Sequence, residues 1–330
     1  MTINVAVVTS DALVLGCDSI STVTELLINP QVFPVEYTGS GRQRISFSTA
    51  DLTPRVTNAW DGVTKMFALS SAERTPVAAV TAGLARLNNR SIKSYADEFL
   101  SDQTVNSPTR HTVEEVANNF LRFMRHHYDQ HYADSDLPSD CREGPAFLVG
   151  GYDAASHLPS LFRVNVQYNH VLAQYSPGNF GAAWDGQSDA VERFIRGYDT
   201  VLRSSIESQV NAEFTALRKT MGKATLQNLR KILSTAGVSL PERVETELPE
   251  APGVSIDWDG FGCEIAYGNL TTQDSIDLTA CLVKLQSGKA KFAKGIATVG
   301  GRTCIGLIRK QEGFQMLNKP DLQCTRGDTA

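Results

Sequence analysis

The sequence lacks any stretch that would direct the chain to a membrane or to secretion. No apolar run among its 330 residues reaches the length needed to span a bilayer. The N-terminus also lacks a basic region followed by a signal-like apolar core. We therefore predict a cytoplasmic protein that does not contact membranes.

Cysteine is scarce and scattered. The six cysteines show no CxxC spacing, which argues against both a zinc site and a disulfide framework. They are Cys17, Cys141, Cys263, Cys281, Cys304 and Cys324. Reduced thiols in the cytoplasm are the interpretation that fits this usage.

Motifs for nucleotides and metals are also missing. The phosphate-binding pattern GxxxxGK[ST] is absent, and so is HExxH. His127 and His131 lie one helical turn apart and could bind a metal, but no third ligand is evident. Histidines that stabilise a helix C-terminus are the preferred interpretation. We predict no metal and no cofactor, while an ATP-driven unfoldase partner stays an open question.

Positive charge is not in excess. The net charge is −5 and the pI is about 5.7, so the chain lacks the excess of positive charge that is typical of a nucleic-acid-binding protein. Hydrophobic residues make up 42% of the chain, as in ordinary globular proteins. The length allows one large domain or two average ones.

Residues 2–22 contain the clearest structural pattern of the sequence. Two apolar runs, at 3–8 and 12–17, flank Ser10 and Asp11, which predicts a β-hairpin with a tight turn. If Thr9 pairs with Ala12, paired residue numbers add to 21, and residue 3 faces Asp18. A carboxylate then lies beside the start of the chain, where burial would require a partner.

Thr2 has special chemistry if Met1 is removed. Its hydroxyl would be a nucleophile and its free α-amine, with a pKa near 8 in ordinary peptides, would be a base on the same residue. Taken alone, Thr2 is better explained as a small second residue. The context changes this interpretation.

The pattern of Thr2, a hairpin, Asp18 and Thr22 resembles the opening of proteasome β-subunits and bacterial HslV. A second block strengthens the resemblance, because Lys65 opens one apolar run and Gly83 closes the next, as in that family. The resemblance runs over most of the chain and suggests a divergent bacterial branch. It implies the four-layer αββα fold of N-terminal nucleophile (Ntn) hydrolases; the order of strands and helices alone supports a mixed α+β class.

The resemblance also implies roles for single residues. Thr2 would attack a peptide carbonyl, Lys65 would favour deprotonation of its hydroxyl, and Asp18 would orient Lys65. The Gly83 N–H would bind the oxyanion, and Thr22 would contact the substrate. Where the family has Gly-Ser-Gly this chain has Trp-Asp-Gly, so Asp185 would replace the supporting serine.

The organisation implied is a single domain over residues 1–330 with insertions at about 23–64 and 203–256. An amphipathic helix begins at Thr112 with a capping box, and its apolar stripe at 113–124 is richer than a solvent-covered helix needs. We predict that this helix packs against its counterpart in a facing ring, giving a homo-oligomeric double ring that cleaves polypeptides.

Two other functions stay open at this point. The chain could be a catalytically inactive, structural ring subunit of the same fold. Such subunits usually carry an extra N-terminal helix before the first strand, whereas this sequence enters a strand at once. It could also be an N-terminal threonine amidase that acts on a small molecule, which a monomer or dimer that turns over amides but no peptides would indicate.

Overall fold

The structure is a computed structural model that describes residues 2–27, 35–37, 43–45, 53–71, 73, 75–106, 111–239 and 253–318. It contains sixteen described strands and five described α-helices. The strands are β1 (Ile3–Val8), β2 (Leu13–Cys17), β3 (Ser21–Leu27), β4 (Val35–Tyr37), β5 (Gln43–Ile45), β6 (Thr53–Trp60), β7 (Met66–Ser70), β8 (Val77–Gly83), β9 (Arg86–Leu87), β10 (Arg90–Ser91), β11 (Pro145–Tyr152), β12 (Pro159–Asn165), β13 (His170–Tyr175), β14 (Gly181–Gly186), β15 (Cys304–Arg309) and β16 (Gly313–Met316). The helices are α1 (Ile92–Asn106), α2 (Val113–His131), α3 (Asp189–Arg196), α4 (Thr200–Thr235) and α5 (Thr272–Phe292).

Sheet I has the strand order β14-β1-β2-β15-β16, and all its pairs are antiparallel. The predicted hairpin and its register are confirmed, since Asn4 faces Cys17 and Val8 faces Leu13. The turn closes with the Thr9 N–H donating to the Ala12 carbonyl at 3.0 Å. Every residue of β1 and β2 is buried, which explains their continuous apolar sequence.

Sheet II has the order β13-β12-β11-β8-β7. The predicted strands that begin after Lys65 and end at Gly83 are its neighbours β7 and β8. At the centre of this sheet β11 and β12 form a hairpin, paired from Ala146 with Asn165 to Tyr152 with Pro159.

The layers follow from which side chains share a core. Alternate residues of sheets I and II pack against each other in one buried cluster that includes Leu15, Val80 and Leu148. The other face of sheet II packs on α1 and α2, and the other face of sheet I packs on α5. The order is helices, sheet II, sheet I, helix, so the predicted α+β class and four-layer αββα architecture are confirmed.

Helix α2 begins with the predicted capping box between Thr112 and Glu115. The packing of this helix against a facing ring stays a prediction. The stripe is buried in the core against sheet II, and Phe123 is partly buried on the same cluster beside Tyr95 and Phe99. The apolar excess of this helix is therefore used within the chain and does not indicate a facing ring.

The chain divides into two compact units, one formed by Met1–Val191 and Ile265–Ala330 and the other by Glu192–Glu264. The second unit contains the predicted insertion at 203–256 and holds the long helix α4. Within it, Asp199 caps α4 by accepting from the Leu202 N–H at 2.9 Å. A single domain with two insertions stays a prediction.

The predicted insertion at 23–64 consists, where it is described, of extended segments. Strand β3 pairs with β6, and β4 pairs with β5. Residues 28–34, 38–42 and 46–52 of this insertion and residues 240–252 of the second predicted insertion lie outside the described residues. None of the described helices is both long and apolar enough to cross a membrane.

Candidate active site

Thr2, Asp18 and Lys65 meet at one edge of the two sheets. Each lies at the end of a strand, with Thr2 directly before β1, Asp18 directly after β2 and Lys65 directly before β7. The Thr2 hydroxyl donates to Asp18 Oδ1, and Lys65 Nζ donates to Thr2 Oγ1. Lys65 Nζ lies 2.7 Å from Asp18 Oδ1. The three predicted catalytic residues are therefore in mutual contact.

All three side chains are withdrawn from solvent. Thr2 is 4% exposed, Asp18 is not exposed, and Lys65 is 6% exposed. A buried ion pair is tolerated when hydrogen bonds satisfy its remaining donors and acceptors. The contacts of Asp18 and Lys65 meet this condition.

The Asp18 carboxylate accepts five hydrogen bonds. Besides the Thr2 hydroxyl and the Lys65 ammonium, Oδ1 accepts from the Ile3 N–H at 3.1 Å. Oδ2 accepts from the N–H groups of Ile20 at 3.2 Å and Gly300 at 3.1 Å. An ionised carboxylate only accepts hydrogen bonds, and this set of donors suits that form.

The Lys65 ammonium has three N–H groups, and each has an acceptor. These are Thr2 Oγ1, Asp18 Oδ1 and the Ile20 carbonyl at 2.5 Å. The charge is therefore held against the Thr2 oxygen, a position from which it can stabilise negative charge on that atom.

Thr2 lines a pocket that also takes in the end of β8 and the start of α1. Thr22 and Gly83, the predicted substrate-contacting and oxyanion residues, both line this pocket with Thr2 and Lys65. Its remaining lining comes from Ser21, Val63, Thr64, Thr81, Ala82, Leu84, Ala85, Ser91, Ile92 and Lys93.

Gly83 is required at its position by the backbone. Its φ is +82°, and a Cβ there would collide with the Gly144 carbonyl oxygen. Glycine therefore permits the chain to turn at the end of β8 and leaves the pocket open at this point.

Asp185 lies on β14, where its strand partner is Asn4. Its carboxylate accepts from the Gly186 N–H at 2.7 Å, whereas the carboxylate that contacts Thr2 Oγ1 is that of Asp18. The structure thus places Asp185 near the site but not in the cluster of Thr2, Asp18 and Lys65. Its supporting role stays a proposal.

The residues that hold the Thr2 main chain are ones that the sequence did not indicate. The Gln187 N–H donates to the Thr2 carbonyl at 2.7 Å, and the Thr298 hydroxyl donates to the Gln187 side-chain oxygen. Gly186 has φ +83°, and a Cβ on it would collide with the Thr2 carbonyl. The only signal in the sequence is a glycine after Asp185.

The neighbouring thiol is not a competing nucleophile. Cys17 is buried and faces Cys304 across β2 and β15. The hydrogen bond with the Cys304 thiol, followed by burial, raises the pKa of Cys17 well above its ordinary value. Cys17 is therefore a neutral thiol at physiological pH, and the thiolate is the form that attacks. The five cysteines of the described residues are free thiols.

No group of three or more histidine, cysteine, aspartate or glutamate side chains among the described residues is arranged to hold a metal ion.

Neither a family model nor a curated protein matches the sequence. Solved structures do match, among them three of Anbu. Anbu (ancestral beta-subunit) from Yersinia bercovieri is 11% identical with a TM-score of 0.45, over 96% of this chain and 88% of that one. A Gly-1 mutant of Anbu from Hyphomicrobium sp. strain MC1 is 8% identical with a TM-score of 0.47, over 98% and 89%. The helical assembly of the Anbu complex from Pseudomonas aeruginosa is 11% identical with a TM-score of 0.45, over 97% and 88%.

These three are structures of a proteasome-like fold, and the specific similarity to HslV stays a prediction. At such identities and TM-scores the likeness is distant. The chemistry of this chain has to be argued from its own residues.

Proposed function

We propose that the chain is an N-terminal threonine peptidase of the Ntn-hydrolase type. The observation that supports this proposal is the Thr2 hydroxyl, held between the Lys65 ammonium and the Asp18 carboxylate at the edge of an open pocket. A hydroxyl at a strand end has no structural need for a buried ion pair, whereas a nucleophile does.

Removal of Met1 would supply the base. It would leave an α-amine on Thr2, one residue that then carries both the nucleophile and a group with a pKa near neutrality. The amine takes the hydroxyl proton, directly or through one water, as Oγ1 attacks the peptide carbonyl. The same amine then returns the proton to the leaving amine, so an ester forms as the peptide bond breaks. Water hydrolyses the ester and restores the hydroxyl.

Lys65 and Asp18 act on the oxygen throughout this cycle. The Lys65 ammonium contacts Oγ1, Asp18 and the Ile20 carbonyl, and its charge lowers the energy of the developing alkoxide. Asp18 fixes the ammonium against Oγ1 and balances its charge. The Gly83 N–H, at the pocket wall, is the proposed oxyanion donor, a contribution of about 3 kcal/mol when well placed.

The mass of the intact protein and the turnover of peptides test this proposal together. Loss of Met1 and hydrolysis of a fluorogenic peptide library by the purified chain are expected, and Thr2→Ala should abolish hydrolysis. A retained Met1 in an active protein would contradict the mechanism. Hydrolysis of small amides but of no peptide would indicate the amidase instead. A protein that has lost Met1 but is inactive would indicate a structural subunit.

We also propose that the chain self-associates into rings with Thr2 facing an inner chamber that admits unfolded polypeptides. Support comes from α4, where none of the helix residues is buried. An apolar stripe at helical spacing begins at the half-buried Ile206 and Val210 and continues through the exposed Phe214, Leu217, Met221 and Ile232. Surfaces of this kind mark interfaces. Light scattering after size exclusion should give a mass several times 35.9 kDa.

A further inference from the structure

Ser19 follows Asp18 directly and is completely buried. Its hydroxyl donates to Asp61 Oδ1, and the same Oδ1 accepts from the Gly62 N–H at 2.6 Å. Asp61 lies on the segment that leads from β6 to Lys65. The Val63 N–H donates to the Ser19 carbonyl at 3.0 Å, so Ser19 holds this segment by both its side chain and its main chain. Lys65 follows only two residues later.

Ser19 also holds the turn at Gly300–Arg302. Its N–H donates to the Gly300 carbonyl at 3.1 Å, and its hydroxyl oxygen accepts from the Arg302 N–H at 2.7 Å. Gly301 has φ +71°, and a Cβ on it would collide with both the Asp61 carboxylate and the Ser19 hydroxyl. The turn is therefore packed directly onto the Ser19–Asp61 contact.

The turn itself contacts the site, because the Gly300 N–H donates to Asp18 Oδ2. Ser19 thus connects the two segments that bring Lys65 and the Gly300 N–H to Asp18. Neither Ser19 nor Asp61 lines the pocket. Any influence they have on the reaction must pass through Lys65 and Asp18.

We infer that Ser19 and Asp61 are positioning residues that keep Lys65 and Asp18 in register with the Thr2 hydroxyl. This inference rests on the proposed threonine peptidase. Near-attack geometry is sensitive to small displacements, and a shift of 1 Å can cost about 100-fold in rate. Loss of the Ser19–Asp61 hydrogen bond should therefore lower kcat and leave KM nearly unchanged, since the pocket wall is intact.

Variants of Ser19 and Asp61 distinguish the effect of the Ser19–Asp61 hydrogen bond from the effect of the Asp61 charge. A serine hydroxyl is one donor and an acceptor, so Ser19→Ala removes the contacts to Asp61 and Arg302 together. Asp61→Ala removes only the acceptor at an exposed position, where folding is expected to tolerate the change. Asp61→Asn keeps an oxygen that accepts from Ser19. The order expected for kcat is wild type, then Asp61→Asn within about twofold, then Asp61→Ala and Ser19→Ala lower by about 10- to 100-fold.

Steady-state kinetics of the full chain on one fluorogenic peptide, with thermal unfolding of every variant, test this inference. Ser275→Ala is the matched control, because Ser275 is equally buried but donates to the carbonyl of Thr271, the N-cap of α5, and to the Thr9 hydroxyl, away from the site. Asp277→Ala controls for loss of an exposed carboxylate. Both controls should keep the wild-type kcat.

Two results would overturn the inference while the proposed function stands, as judged by an inactive Thr2→Ala. One is a kcat for Asp61→Ala and Ser19→Ala within twofold of wild type. The other is an equal loss in Asp61→Asn and Asp61→Ala, which would assign the effect to charge. Full activity in Thr2→Ala would instead contradict the proposed function, and it would also contradict this inference, which depends on that function.

Discussion

Ile3 and Asp18 hold each other across the open end of the first hairpin. The Asp18 N–H donates to the Ile3 carbonyl at 3.4 Å, and the Ile3 N–H donates back to the Asp18 carboxylate at 3.1 Å. The ladder of β1 and β2 thus continues one step beyond the strands, with a side-chain oxygen as the last acceptor. Because Thr2 directly precedes Ile3, this bond fixes the distance from the Thr2 hydroxyl to its carboxylate partner.

Thr2→Ala should abolish peptide hydrolysis and leave the fold intact. The substitution removes one methyl and one hydroxyl that donates to Asp18 and accepts from Lys65. The expected loss of stability is about 1–3 kcal/mol, because two buried groups each lose one hydrogen-bond partner. Thr2→Ser keeps the hydroxyl and should retain part of the activity. Turnover and thermal unfolding measure the two effects, and unchanged turnover in Thr2→Ala would place the nucleophile elsewhere.

Lys65→Ala should abolish activity and also destabilise the chain by about 3–5 kcal/mol, because it leaves a buried carboxylate without its cation. Chemical denaturation measures this loss. Glu312→Ala is the control, since it breaks an exposed pair with Arg309 and should cost under about 1 kcal/mol. Equal costs for the two variants would show that the Asp18–Lys65 pair is not effectively buried.

The capping box of α2 should give stability that depends on pH. The hydrogen bond from the Thr112 N–H lowers the pKa of Glu115 below its ordinary value. A lowered folded-state pKa adds stability at pH values above the unfolded value, near 4.5, and this stability is lost as the pH falls through the folded value. Glu115→Gln keeps the box at every pH.

The melting temperature of Glu115→Gln should therefore fall less than that of the wild type between about pH 6 and pH 3. Glu114→Gln, which removes a first-turn carboxylate outside the box, is the control and should follow the wild type. Parallel curves for all three proteins would contradict the assignment.

The stripe on α4 should decide the state of assembly. Leu217→Glu and Met221→Glu place charge on side chains that are 55% and 61% exposed, so the monomer should fold unchanged. Light scattering is expected to show a smaller species. Ser208→Glu adds a charge on the opposite side of the helix, at 100° per residue, and should keep the larger mass. An unchanged mass in all three variants would exclude this surface as an interface.

The sequence predicted the parts of the site that depend on local pairing. The register of the hairpin follows from its turn, and that register alone places Asp18 beside residue 3. The contact between Ser19 and Asp61 spans 42 residues, and that between Asp18 and Gly300 spans 282. No periodic pattern encodes contacts between loops, so these residues were missed. An excess of apolar residues on a helix does not distinguish a core from an interface, and the apolar stripe of α2 is buried within the chain.

The insertion of β15 beside β2 has a consequence for how the chain is made. Strand β2 pairs with β1 within its own hairpin, but its second neighbour begins at Cys304. The Gly300 N–H, which donates to the Asp18 carboxylate, lies just before this strand and is synthesised at about the same time. A chain still growing on the ribosome can form the hairpin yet lacks these contacts until nearly all of the described residues have been synthesised. If Thr2 is the nucleophile that we propose, its full set of contacts forms only after the segment at 300–308 has been synthesised, so activity would begin late in synthesis.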